Sequence, residues 1–185
     1  MTRRGAALAL VAALALLAAA LFWLRRSRPS PAGAPRTAAA APHPAESVDL
    51  YFAGAPGLLY RERRELMLPA DERGRLRAAV EAWLAGPRRP GLEAPLPAGV
   101  EVAELVLGPD GVVFVDLRSA DGPPPLGSTR ERLLVYGLVH TVLGNSASAR
   151  RVVLLWNGSQ PRSFAGHLDL SRPLGPAPEL VAESP

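Results

Sequence analysis

Gly5 to Leu24, GAALALVAALALLAAALFWL, is twenty consecutive residues without a charged or polar side chain. As a helix this run spans roughly 30 Å, the thickness of a hydrocarbon core, so it reads as a transmembrane anchor and not as part of a globular core. A cleaved signal peptide is the alternative, with Ala18 to Ala20 as an A-x-A site. An apolar signal core ends within ~15 residues, whereas Leu21, Phe22 and Trp23 continue this one, and Trp23 suits a membrane interface. Arg3 and Arg4 precede the run and Arg25, Arg26 and Arg28 follow it, so flanking charge does not orient it.

Residues 1–4 are then a short flank, 5–24 the anchor, and 25–46 a tether. The tether holds five prolines and no bulky apolar side chain, which leaves it nothing to bury. The formal net charge of +4 comes from this N-terminal part, because six of the 21 basic residues and none of the 17 acids lie before Glu46. From Glu46 onward the balance is slightly acidic, and all the basic residues are Arg. A basic stripe for nucleic acid is therefore not expected. The chain has no cysteine, which excludes disulfides, cysteine-based zinc sites and a lipid-attached cysteine.

Residues 47–175 carry the folded domain. VDLYF (Val48 to Phe52) reads as a strand, and LLYRERRELML (Leu58 to Leu68) as an exposed strand at a sheet edge with a solvated Arg61–Glu65 cluster. A first helix runs from about Asp71, its N-cap, to Ala85. Leu76, Ala79, Val80, Trp83 and Leu84 form one face, and Gly86 and Pro87 stop it. After a proline-rich loop, VEVAELVL and VVFVDL flank GPDG as an antiparallel hairpin. Ser128-Thr129-Arg130-Glu131 has the spacing of a capping box opening a second helix to about Leu143. RVVLLWNG follows as a strand, and Asn157-Gly158 turns it into a returning strand near Arg162 to Phe164. Residues 176–185 read as a loose tail. The expected class is α+β, a two-layer arrangement with two helices packed on one face of a mostly antiparallel sheet.

No catalytic constellation emerges. His43, His140 and His167 lack metal-ligand spacing, Ser128 sits in no G-x-S-x-G elbow, and Asp110, Asp116 and Asp169 read as turn or strand-end carboxylates. Neither phosphate-loop pattern is present, so no cofactor or metal is expected. Two runs ask for more: VVFV (Val112 to Val115) and VVLLW are apolar at successive positions, so both faces of their sheet carry hydrophobic side chains. Val152, Val153, Leu154, Leu155 and Trp156 are accordingly the candidate interaction surface.

LYF, AWLAGP, PLPAGVEV, GVVFVDL, GSTRE, VVLLWNG and GHLDLS, in this order between Ser47 and Leu174, resemble the GerMN domain of sporulation and spore germination proteins and other membrane-anchored bacterial proteins. The resemblance implies a compact α+β module similar to the ring-building motifs of secretion-type assemblies, with no catalytic residue. It also implies that the loop after Gly86-Pro87 is a stiff connection. The implied role is non-enzymatic: a single-pass protein of the bacterial cytoplasmic membrane whose extracytoplasmic domain contacts an envelope protein or a second copy. A module binding cell-wall glycan or peptide is the alternative, and a hydrolase a more distant one.

Overall fold

The structure, a computed structural model, describes residues 45–183. The anchor expected at Gly5 to Leu24 and most of the tether lie outside these residues. Among the described residues no helix is long and apolar enough to cross a membrane.

The fold is α+β, with strand β1 Ala45–Gly54, β2 Leu58–Met67, helix α1 Glu72–Leu84, β3 Leu92–Glu93, β4 Glu101–Leu107, β5 Val112–Arg118, helix α2 Ser128–Gly144 and β6 Arg151–Trp156. Its strands form two three-stranded sheets and not one, in the orders β2-β1-β3 and β4-β5-β6. The single sheet expected from the sequence is thereby corrected; its mostly antiparallel character holds, with β1–β2, β1–β3 and β4–β5 antiparallel, while β6 runs parallel to β5. A parallel neighbour needs a long crossover, and α2 supplies it.

What divides the sheets is the inner edge of β1. β3 pairs with β1 only at Ala53 and Gly54. Along the rest of that edge side chains replace a strand. Asn145 accepts from the Asp49 amide at 3.0 Å and donates to the Asp49 carbonyl at 2.7 Å. Thr141 Oγ1 accepts from Tyr51 N–H at 3.1 Å, and the Trp83 indole donates to the Tyr51 carbonyl at 2.8 Å. With its polar groups satisfied, this edge neither needs nor admits another strand. The closeness depends on Gly137, where a Cβ would lie 2.8 Å from the Tyr51 oxygen.

One main core joins both sheets and both helices. Val48, Leu50 and Phe52 meet Leu76, Val80 and Trp83 of α1, Leu138 and Val142 of α2, and Leu105, Val115, Leu117 and Leu154 of the second sheet. Asp71 caps α1 as expected, accepting from Gly74 N–H at 2.8 Å. Gly86 follows that helix at φ +85, a conformation suited to glycine.

Three local expectations are corrected. The capping box does not form: Gly127 is the N-cap of α2, and the Ser128 side chain makes no cap bond. Glu131 is instead fully buried and turned to a different loop. Asn157 and Gly158 do make a turn, both with positive φ, yet the chain returns only through an isolated Trp156–Ser159 bridge, and Arg162 to Phe164 form no strand. Finally, Arg64 is buried beside Phe52 and not solvated.

Candidate interaction surface

The register of the second sheet assigns each apolar residue of β5 and β6 to a face. Val152, Leu154 and Trp156 pair with Val113, Val115 and Leu117. Alternation points all six inward, and all six are buried in the main core. Val153 and Leu155 pair with Phe114 and Asp116 and point outward. A register shift between Val102 and Glu104 lets β4 continue the pattern, placing Val106 opposite Phe114 and Glu104 opposite Asp116. The outward face thus carries an apolar row, Val106–Phe114–Val153, beside Leu155.

The five candidates do not form one exposed surface. Val153 is only 4 % exposed although it points outward, and Leu155 is half-buried. The accessible apolar atoms belong more to β4 and β5: Val106 is 45 % exposed, Leu107 at the strand end 37 %, and Phe114 is half-buried. The signal for Phe114 was in the sequence, in the unbroken VVFV run. Val106 was hidden because the bulge beside it resets the alternation of β4, which cannot be read from residue type. Charged groups rim the row. Arg118 pairs with Glu101 at 2.5 Å, Arg73 pairs with Glu104, and Asp116 accepts from Gly158 N–H at 3.0 Å.

Elsewhere the ionisable groups serve the architecture. Glu131 Oε1 accepts from Ser163 Oγ at 2.6 Å, Phe164 N–H at 2.8 Å and Ala165 N–H at 3.0 Å, while Oε2 accepts from His167 N–H at 3.0 Å. Burial pushes the Glu131 carboxyl up, but the Ser163 hydroxyl and the amides of Ala165, His167 and Phe164 outweigh it and hold the group below the usual carboxylate range. Glu131 therefore pins the 163–167 loop against α2.

A second clamp closes α1. Arg64 donates to the carbonyls of Ala82 at 3.0 Å and Gly86 at 2.6 Å, and pairs with Glu62. Glu62 in turn accepts from the amides of Arg88 and Arg89 at 3.0 and 2.9 Å. Burial opposes ionisation of Glu62, but the Arg89 amide, the Arg64 guanidinium and the Arg88 amide together lower its pKa. Farther along, Arg130 holds the Ala94 carbonyl at 2.6 Å and Leu96 is buried, so this loop is anchored as a connection. Between it and α1 lies an open cleft of about 580 Å³, lined in part by Leu84, Leu96, Val100, Arg77 and Glu81. The Arg77 guanidinium is already committed there, to Glu81 at 2.8 Å and to the Val102 carbonyl at 2.6 Å. Among the described residues no group of three or more His, Asp or Glu side chains converges as a metal site would require.

The family described as Sporulation and spore germination, Germane, matches residues 49–161, from the middle of β1 past the end of β6. The chain belongs to this family. Solved structures agree on the fold. The first GerMN domain of the sporulation protein GerM from Bacillus subtilis is 23 % identical with a TM-score of 0.54, over 70 % of this chain and 97 % of that one. The tandem GerMN domains of the same protein give 22 % identity and a TM-score of 0.59, over 71 % of this chain. This chain spans 46 % of that tandem structure. A candidate lipoprotein of Clostridium perfringens is 20 % identical with a TM-score of 0.51, over 71 % of this chain and 88 % of that one. No curated protein matches. The Germane match ends at residue 161, so it includes Glu131 but not the loop that Glu131 holds.

Proposed function

We propose that this Germane-family domain is a non-enzymatic contact module, held outside the cytoplasm by the Gly5 to Leu24 anchor, that docks an envelope protein through the outward face of β4-β5-β6. The observation that carries this reading is the Val106–Phe114–Val153 row with its rim of ion pairs. Interfaces bury such an apolar centre within a polar rim. The structural commitments of Glu62, Glu131, Arg64 and Asp116 support a non-enzymatic role, since each is spent on holding backbone. Membrane attachment is supported by the apolar run itself, and a fold relative from Clostridium perfringens is described as a candidate lipoprotein. The partner surface fitting this face is an apolar patch with charged edges, and a second copy of the chain is the competing occupant.

The test is co-purification from native membranes, comparing the wild type with Val106→Asp. A charge at the exposed end of the row is desolvated on docking and should cost at least roughly tenfold in recovery of the partner while the domain stays folded. Unchanged recovery would remove this face from consideration, and recovery of the same chain alone would identify self-association.

A further inference from the structure

After β6 the chain returns to the first sheet. Leu174 exchanges both backbone hydrogen bonds with Val152, each 2.8 Å, and Gly175 and Pro176 follow. Beyond them Val181 bridges Leu59 in parallel, and Ala182 N–H donates to the Leu59 carbonyl at 2.8 Å. Residues 176–182, expected as tail, are therefore docked. Ala177 and Leu180 bury themselves with Leu59 and Leu133 in a cluster separate from the main core, flanked by Ala53, Tyr136 and Val181. A segment with its own small cluster, hinged beyond a firm anchor, can open without opening the core.

His140 of α2 holds the near end of this strap. Its Nε2 lies 3.2 Å from the Ala177 nitrogen and 3.1 Å from the Ala177 oxygen. That oxygen already accepts from Leu180 N–H at 3.0 Å. The Ala177 N–H is the group in need, because a buried backbone donor must be paired. The docked strap therefore requires a neutral imidazole with its lone pair on Nε2 and its proton on Nδ1. Protonating Nε2 sets one N–H against another and leaves the ring only the Ala177 carbonyl, shared with Leu180 N–H, while Ala177 N–H loses its acceptor.

We propose that residues 176–182 form an acid-releasable strap, in which protonation of His140 removes the acceptor of Ala177 N–H and frees the segment, uncovering the apolar strip of Leu59 and Leu133. Burial of the imidazole lowers its pKa in the docked state, opposed by the Ala177 carbonyl and the Glu179 carboxylate. Undocking exposes the ring and restores the ordinary value of 6.5. The sign follows: the contribution of His140 to docking is complete above the ordinary value and is lost as pH falls through the lower docked value.

The titratable groups facing the ring are the Tyr51 phenol of β1, with ring centroids 5.3 Å apart, and Glu179 of the strap itself. Burial and Asp49 raise the Tyr51 pKa against the opposing Arg61 and Arg63, so the phenol stays neutral throughout this range.

Amide hydrogen exchange of the full-length chain between about pH 7.5 and 5 reads the strap directly, with Trp156 N–H as internal reference for intrinsic rates. Protection of Ala177 and Ala182 should fall roughly five-fold relative to Trp156 on acidification, the size of one lost hydrogen bond. His140→Gln, whose amide oxygen can still accept but cannot titrate, should abolish the response. Glu179→Gln removes a charge that favours the imidazolium in the docked state and should deepen the loss of protection at a given acidic pH. Constant relative protection in the wild type would overturn the proposal, as would a response that survives in His140→Gln.

Discussion

The two sheets solve the same problem in opposite ways. In β2-β1-β3, the inner edge of β1 is closed by Asn145, Thr141 and Trp83, the Leu59 end is covered by the strap, and the charged middle of β2 is paired: Arg63 with Asp49 at 2.9 Å, Arg64 with Glu62 at 2.5 Å. In β4-β5-β6 the inward face is equally well filled, but the outward face keeps an apolar row with Val106 and Phe114 reachable from solvent. The first sheet has committed most of its polar groups internally and exposes a large apolar side chain only at Met67, the last residue of β2. The second keeps an apolar row on its outward face, and the proposed contact role rests on that difference.

The largest effects should come from breaking the first arrangement. Trp83 is 1 % exposed and supplies the donor for the Tyr51 carbonyl. Trp83→Ala should therefore destabilise by about 3–5 kcal/mol in urea denaturation, and a loss below ~1 kcal/mol would mean that β1 is not held by α1. Val153→Asp should cost a similar ~3–5 kcal/mol by the same measurement, because it buries an unpaired charge at a site 4 % exposed. If Val153→Asp is tolerated, the row is more open at its β6 end than the burial of Val153 indicates.

Glu131→Gln is expected to cost about 1–3 kcal/mol, since an amide cannot satisfy the donors of Ser163, Phe164, Ala165 and His167 as a carboxylate does. Both Glu131 and Glu62 have pKa values lowered in the folded protein from the ordinary 4.5. Their contribution to stability is thus complete above that value and is lost as pH falls through the lower folded values. Denaturation midpoints measured on descending through this range should drop for the wild type, and less steeply for Glu131→Gln. Val106→Asp should produce the smallest change in stability, within roughly 1 kcal/mol, because Val106 is 45 % exposed on a strand with a free edge.

What was legible in the sequence were the elements set by neighbours in the chain: the Asp71 cap and the Gly86 stop of α1, the β4–β5 hairpin around GPDG, and the buried stripe through Trp83. What was not legible depends on partners distant along the chain. A run such as VVLLW fits a parallel or an antiparallel neighbour equally well, and only the route of α2 decides that β6 lies parallel to β5. Ser128-x-x-Glu131 fits a capping box, but an ionised side chain at that position can also gather the 163–167 amides, and burial against Phe164 favours the second arrangement. The division into two sheets rests on Asn145 and Thr141 imitating a strand, for which no local pattern exists. For the candidate surface, the sequence pointed to β6, and in the structure the accessible apolar part of that sheet lies toward Phe114 and Val106.

The contrast between the sheets is tested most directly by a photo-crosslinking residue placed singly at Val106 or at Met67 in the full-length protein in its native membrane. Both are exposed apolar positions, 45 % and 65 % respectively, so accessibility alone favours Met67. A discrete protein adduct is expected from Val106 on the second sheet and none from Met67 on the first. Equal or stronger crosslinking from Met67, or no adduct from Val106, would contradict it.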